Sequence, residues 1–207
     1  MKLRTLKMRT LAVTVCALAL AGSASAADAV RETAVFAGGC FWSMQKVFDH
    51  VPGVVDTQAG FMGGHVKNPS YDDVTTETTG HLEAVKVTFD PTKVTYAQLL
   101  DQYWHHTDPT DPNGQICDYG PSYHTAIFTY NDGQFAAANA AKAVVANQLH
   151  KAVATQVIKA SSEALPFYAA EPFHQHYAAT HAANYEAYFV GCGRGPKLHA
   201  IWGKLAD

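Results

Sequence analysis

The stretch Thr33-Ala34-Val35-Phe36-Ala37-Gly38-Gly39-Cys40-Phe41-Trp42 decides how the fold is read. Residues 33–37 form a short apolar run, which predicts a buried strand. Beyond it, Phe41, Met44, Val47, Phe48 and Val51 recur at three- and four-residue spacing, which predicts a helix. The two glycines between these elements permit a sharp turn. Cys40 then falls in the first turn of the helix, where unpaired N–H groups and the helix dipole favour a thiolate. A free thiol titrates near pH ~8.5, so even a modest lowering makes it largely nucleophilic at neutral pH. The ordinary role of a free cysteine is structural and buried. Here the glycine turn and the aromatic neighbours favour a nucleophile.

Working outward, Pro52-Gly53 marks a turn and Val54 to Gly60 a second strand. Phe61 to Tyr71, rich in Gly, Asn, Pro and Ser, reads as a surface loop. Val85 to Phe89 alternates apolar and polar residues and reads as a strand closed by Asp90-Pro91. Thr95 is placed to cap a helix whose apolar face is Leu99, Leu100, Tyr103 and Trp104. A turn-rich segment from Asp108 to Tyr123 leads to a strand at Thr125 to Tyr130, followed by an alanine-rich helix from Gln134 to Lys151. One more short strand is expected at Gln156 to Ala160. The predicted class is α+β: a ferredoxin-like split βαβ core with a mixed sheet, flanking helices and a long irregular C-terminal tail.

Residues 1–26 read as a secretory leader and residues 27–207 as one catalytic domain. Lys2, Arg4, Lys7 and Arg9 precede an apolar stretch from Leu11 to Ala21, and Ala24-Ser25-Ala26 supplies small residues for cleavage. The apolar stretch is well short of the ~20 residues that span a bilayer. An exported protein without a membrane anchor is expected, periplasmic in a Gram-negative source. Removing the four basic residues of the leader takes the net charge from −3 to −7. That balance argues against nucleic acid and anionic membrane surfaces as partners. Cys40, Cys117 and Cys192 remain, an odd number and too few for a disulfide scaffold, so reactivity is the economical explanation.

Glu83 is in phase with Val85, Val87 and Phe89, so it shares their buried face. Burial raises a carboxyl pKa and makes a general acid available at neutral pH. Tyr71, Tyr119 and Tyr123 lie in the turn-rich segments with Asp118, and phenol hydroxyls there are suited to binding a substrate oxygen. Taken singly, each tyrosine is better explained by covering the edge of the core. The eleven histidines include His105-His106 and His174-Gln175-His176, neither with the i, i+4 spacing of a helical zinc site, so no metal is expected.

These residues carry a resemblance. Gly39-Cys40-Phe41-Trp42, Gly63-Gly64, Pro69-Ser70-Tyr71, Gly80-His81-Leu82-Glu83-Ala84-Val85 and Asp108-Pro109-Thr110 occur in order. Cys117-Asp118-Tyr119-Gly120-Pro121-Ser122-Tyr123, Pro166-Phe167-Tyr168 with Ala170-Glu171, and His174-Gln175-His176-Tyr177 follow. Over nearly all of residues 27–207 the chain resembles the A-class peptide methionine sulfoxide reductases. The resemblance implies reduction of methionine S-sulfoxide, free or in proteins, without metal or organic cofactor. It implies Cys40 as nucleophile, Glu83 as proton donor, Tyr71 and Tyr123 as hydrogen-bond donors to the sulfoxide oxygen, and Asp118 as a substrate- or water-holding residue. Phe41 and Trp42 would receive the S-methyl group. A sulfenic acid on Cys40 would then condense with a second thiol, Cys192 or alternatively Cys117. An external thiol reductant, a thioredoxin-like envelope protein or dithiothreitol, would complete the cycle.

The sequence departs from the commoner pattern at Ser43, where glycine is usual, at Cys117, where asparagine is frequent, and in a tail shortened to Gly191-Cys192-Gly193-Arg194-Gly195. Mobility between glycines favours Cys192 as resolver, and the carboxylate beside Cys117 disfavours that thiolate. A thiol–disulfide oxidoreductase predicts a C-x-x-C pair, which the sequence lacks. A histidine-rich metal-binding protein is the remaining rival.

Overall fold

The computed structural model describes residues 30–161 and 163–203. The leader assigned to residues 1–26 lies outside them. The central sheet is built from β1 (Glu32–Gly38), β2 (Val54–Met62), β3 (Leu82–Phe89), β6 (Thr125–Thr129), β7 (Gln156–Lys159) and β8 (Tyr168–Ala169). Its order is β7-β6-β1-β3-β2-β8. The four central members are antiparallel neighbours, and β7 runs parallel to β6. This is the predicted split βαβ core, extended by one strand on each edge.

Side chains alternate across a strand, so a run buried on both faces must be apolar throughout. That explains residues 34–37. Ala34 and Phe36 face a core completed by α1 (Phe41–Asp49), α3 (Tyr96–His105) and α4 (Asp132–Leu149). Val35 and Ala37 face Met62, Ala84, Ala126 and Phe128, with Leu165 and Phe167 packed against them. The predicted elements appear with ends shifted by a few residues. Thr95 accepts the Gln98 N–H while the Gln98 side chain returns to the Thr95 N–H, a reciprocal cap that starts α3.

Two expectations need correction. Phe61 and Met62 are not loop but the fully buried end of β2, paired with Glu83 and Leu82. Hydrogen bonds to β3 outweigh the turn-forming residues that follow, and Tyr71 itself opens the short α2 (Tyr71–Thr75). The C-terminal tail is also not irregular. It folds into α5 (Tyr177–Thr180), α6 (Ala182–Gly191) and α7 (Arg194–Trp202). Their apolar residues form no clear stripe in sequence, and aromatic stacking and buried polar ties hold them instead.

Most of those ties are directed at one segment, which carries the two-residue strands β4 (Gly114–Gln115) and β5 (Asp118–Tyr119). Trp202 Nε1 donates to the Thr107 carbonyl at 2.8 Å, and Lys197 Nζ donates to that of Ile116 at 2.7 Å. Arg194 pairs with Asp118 at 2.9 Å, and Cys192 is disulfide-bonded to Cys117. The tail is thereby laid along the segment that leads into the candidate site. Among the described residues, no helix is long and apolar enough to cross a membrane.

Candidate active site

Cys40 is the N-cap of α1, its carbonyl accepting the Ser43 and Met44 N–H groups at 3.1 and 3.3 Å. The preceding Gly39 has φ +78°, and a Cβ there would collide with the Gln115 side chain, so this turn requires glycine. Among the described residues Cys40 is the free cysteine, 7 % exposed. Glu83, 2 % exposed, reaches the same helix end: its Oε2 accepts the Phe41 N–H at 2.9 Å. One helix N-terminus therefore holds both the thiol and the acid.

Their protonation differs from a reading based on the helix dipole alone. Burial pushes the Glu83 carboxyl up to about 8, with Asp118 and Glu77 adding to the effect and the Phe41 N–H opposing it. It is thus mostly neutral at pH 7, as its position on β3 predicts. The Cys40 thiol is pushed up to about 12, by burial first and then by Glu83 and Asp118, against Arg194 and the Tyr188 hydroxyl. The expected thiolate is therefore not the resting form. Desolvation of a buried sulfur outweighs the favourable helix terminus.

The phenols border this pair. Tyr71 is raised to about 12 by burial first and then by the neighbouring Glu83 and Cys40, so its hydroxyl stays a donor. Tyr123, on the 3-10 turn Pro121–Tyr123, is raised by burial first and by its charged neighbourhood, and is likewise a donor. Ser122 anchors that turn by donating from N and Oγ to Glu77, both at 2.8 Å. Phe41 is buried, whereas Trp42 is half-exposed and lies flat on Tyr177, centroids 3.8 Å apart. Tyr119 is exposed, 66 %, and belongs to no part of this cluster.

Asp118 is placed by the tail. Its Oδ2 accepts from Tyr188 Oη at 2.7 Å and Arg194 Nη2 at 2.9 Å, and the same nitrogen lies 3.2 Å from Tyr188 Oη. Arg194 is 2 % exposed, and among the described residues its Nε and Nη1 have no acceptor. The two alternative resolving cysteines, Cys117 and Cys192, are bonded to one another and not to Cys40. Ile116, just before Cys117, has φ +63°, a region β-branched residues avoid.

Three residues here had no role in the sequence reading. His174 accepts the Trp42 indole N–H at Nδ1, 3.2 Å, and stacks on Tyr71 at 4.2 Å. Burial lowers its pKa, so the neutral ring that can accept is favoured. Tyr188 and Arg194 complete the set. The aromatic pattern around His174 was a weak signal in sequence, and nothing local marked Tyr188 or Arg194.

A buried thiol beside a neutral carboxylic acid, rimmed by phenols, with a disulfide next to Asp118, defines a thiol-based oxidoreductase. The sequence profile of the peptide methionine sulfoxide reductases matches residues 32–205, and the chain belongs to that family. It is 46 % identical over 198 residues to the peptide methionine sulfoxide reductase MsrA 2 of Caulobacter vibrioides, covering 94 % of this chain and 98 % of that one. It is 44 % identical over 175 residues to MsrA of Bacillus subtilis, covering 84 % and 97 %. Among solved structures, methionine sulfoxide reductase A of Corynebacterium diphtheriae superposes with a TM-score of 0.69 at 35 % identity, covering 72 % of this chain and 74 % of that one. Reduced Mxr1 of Saccharomyces cerevisiae gives 0.66 at 26 % identity, covering 74 % and 87 %.

Proposed function

We propose that the protein reduces methionine S-sulfoxide, free or in proteins, to methionine. The observation that carries this reading is the sharing of one helix N-terminus by Cys40 and Glu83, through the 2.9 Å Phe41–Glu83 hydrogen bond. Sulfoxide reduction needs a nucleophile for sulfur and a proton for oxygen at the same point. Neutral Glu83 supplies the proton as the S–O bond weakens, and Tyr71 and Tyr123 donate to the same oxygen. As Glu83 gives up its proton it takes that of Cys40, so the acid shuttles one proton and no net charge enters the buried site. The half-exposed face of Trp42 is suited to the S-methyl group, and Asp118 to holding substrate or water. Methionine leaves and Cys40 carries the oxygen as a sulfenic acid.

Resolution follows from the remaining thiols. Cys192 condenses with the sulfenic acid, releasing water and forming a Cys40–Cys192 disulfide. Cys117 then attacks Cys192, freeing Cys40 and leaving the Cys117–Cys192 pairing found here. A thioredoxin-like dithiol reduces that bond. The basic, apolar and small-residue segments of residues 1–26 support export to the envelope, where oxidised exported proteins are the substrates.

The decisive measurement is turnover of S- against R-methionine sulfoxide with dithiothreitol. Reduction of the S epimer that vanishes in Cys40→Ser supports the reading. Equal use of both epimers, or a Cys40→Ser rate within tenfold of native, overturns it.

A further inference from the structure

Among the described residues, one group of side chains has donor atoms suited to a metal ion: Cys117, Asp118 and Cys192, whose ligand atoms all lie within 4.8 Å of one another. We propose that reduction of the disulfide converts this group into a zinc site. The site exists only in the reduced protein, because the sulfur lone pairs and charges that bind a metal appear when the S–S bond is cleaved.

The geometry fits. The Cys117 and Cys192 Cα atoms are 5.4 Å apart, so side-chain rotation alone brings both sulfurs to one ion. In a tetrahedral site with Zn–S bonds of about 2.3 Å, the sulfurs stand roughly 3.8 Å apart. Asp118 divides its two oxygens. Oδ2 is held by Tyr188 and Arg194, while Oδ1 lies 3.6 Å from the Cys117 sulfur. Such an outer pair of donors is the usual means of fixing a ligating carboxylate. Two thiolates and a carboxylate are ligands that zinc accepts, and they leave a fourth position for water. All three residues are only half-buried, so an ion has a path in.

The site forms with an external dithiol and zinc alone. A dithiol reduces the S–S bond to two thiols. Zinc then displaces two protons, and the metal is not oxidised or reduced. Resting on the proposal that Cys192 resolves the Cys40 sulfenic acid, zinc stops the cycle after one methionine is released, because the resolving sulfur is occupied.

The test uses the full chain, reduced by a phosphine that is then removed under argon, and titrated with zinc against a chromophoric chelator. The oxidised chain is run in parallel. One zinc per reduced chain is expected, with at least tenfold weaker binding to the oxidised chain. Cys117→Ser and Cys192→Ser are each expected to lose at least tenfold in affinity, and Cys40→Ser to stay within threefold of native. Cobalt(II) in place of zinc should show a thiolate charge-transfer band in the reduced chain. Equal zinc uptake in both redox states indicates adventitious histidine binding and overturns the proposal, as does undiminished binding by Cys117→Ser. If a cysteine variant misfolds, the comparison of the two redox states of the native chain decides alone. Binding is measured without sulfoxide, so a failure of the enzymatic reading leaves this test intact.

Discussion

Arg194 Nη2 lies 2.9 Å from Asp118 Oδ2, joining the last helix to the residue beside Cys117. Arg194 is buried and Asp118 half-buried, and removing one partner of such a pair costs more than an exposed bridge is worth. Arg194→Met is expected to lose about 3 kcal/mol in urea unfolding. It should also slow multiple turnover more than the first release of methionine, because it unseats the tail that holds Cys192. Unchanged stability together with equal effects on both steps would show that the ion pair does not hold the tail.

The raised thiol predicts slow chemistry in the resting enzyme. Alkylation of Cys40 by iodoacetamide at pH 7 should be at least tenfold slower than that of an unstructured cysteine peptide, with no midpoint below pH 8. A rate matching the peptide, with an inflection near neutrality, would mean that the helix terminus prevails over burial after all.

Glu83 carries a linkage prediction. Its folded pKa of about 8 lies above the ordinary 4.5, so the folded state holds the proton more tightly than the unfolded one. Stability therefore falls as pH rises from 4.5 to 8, by at most roughly 1.4 kcal/mol per pH unit. Glu83→Gln should lack this slope and should cut single-turnover sulfoxide reduction by roughly 10²–10⁴. Parallel urea-unfolding curves for both proteins from pH 5 to 8 supply the check, and identical slopes contradict it.

The order of disulfides is read by peptide mapping after one turnover without reductant. Native protein should show Cys117–Cys192, Cys117→Ser should accumulate Cys40–Cys192, and Cys192→Ser should leave a Cys40 sulfenic acid open to dimedone. A Cys40–Cys117 bond in Cys192→Ser, followed by full turnover with a dithiol, would assign resolution to Cys117.

His174 braces the Trp42–Tyr71 wall. His174→Leu removes a stack and an indole acceptor, together worth about 1–2 kcal/mol. The expected result is roughly a tenfold loss in kcat/KM, mostly in KM. A change confined to kcat would place His174 in the proton chemistry instead.

The periodicities around Cys40 and Glu83 were enough to place Cys40 at a helix start, Glu83 on a buried strand face, and the four central strands, because strand and helix phase is written locally. The charge state of Cys40 was not legible. It depends on how completely distant elements cover the sulfur, and local spacing records only the helix terminus. The tail failed for a related reason: α6 and α7 are held by Tyr185 meeting Ser43 and by Tyr188 and Arg194 meeting Asp118, partners far away in sequence. Phe61 and Met62 were misread because the glycine and proline residues beyond them masked two further rungs of pairing.

The separation of 75 residues between Cys117 and Cys192 also sets an order of assembly. Cys40, its helix and Glu83 belong to the first half of the chain and can come together early. The face of Trp42 and the seat of Asp118 cannot, since His174, Tyr177, Tyr188 and Arg194 arrive last. A chain stopped short of its final helices would carry Cys40 without the aromatic residues that pack on Trp42, so the site is expected to be complete only once synthesis is.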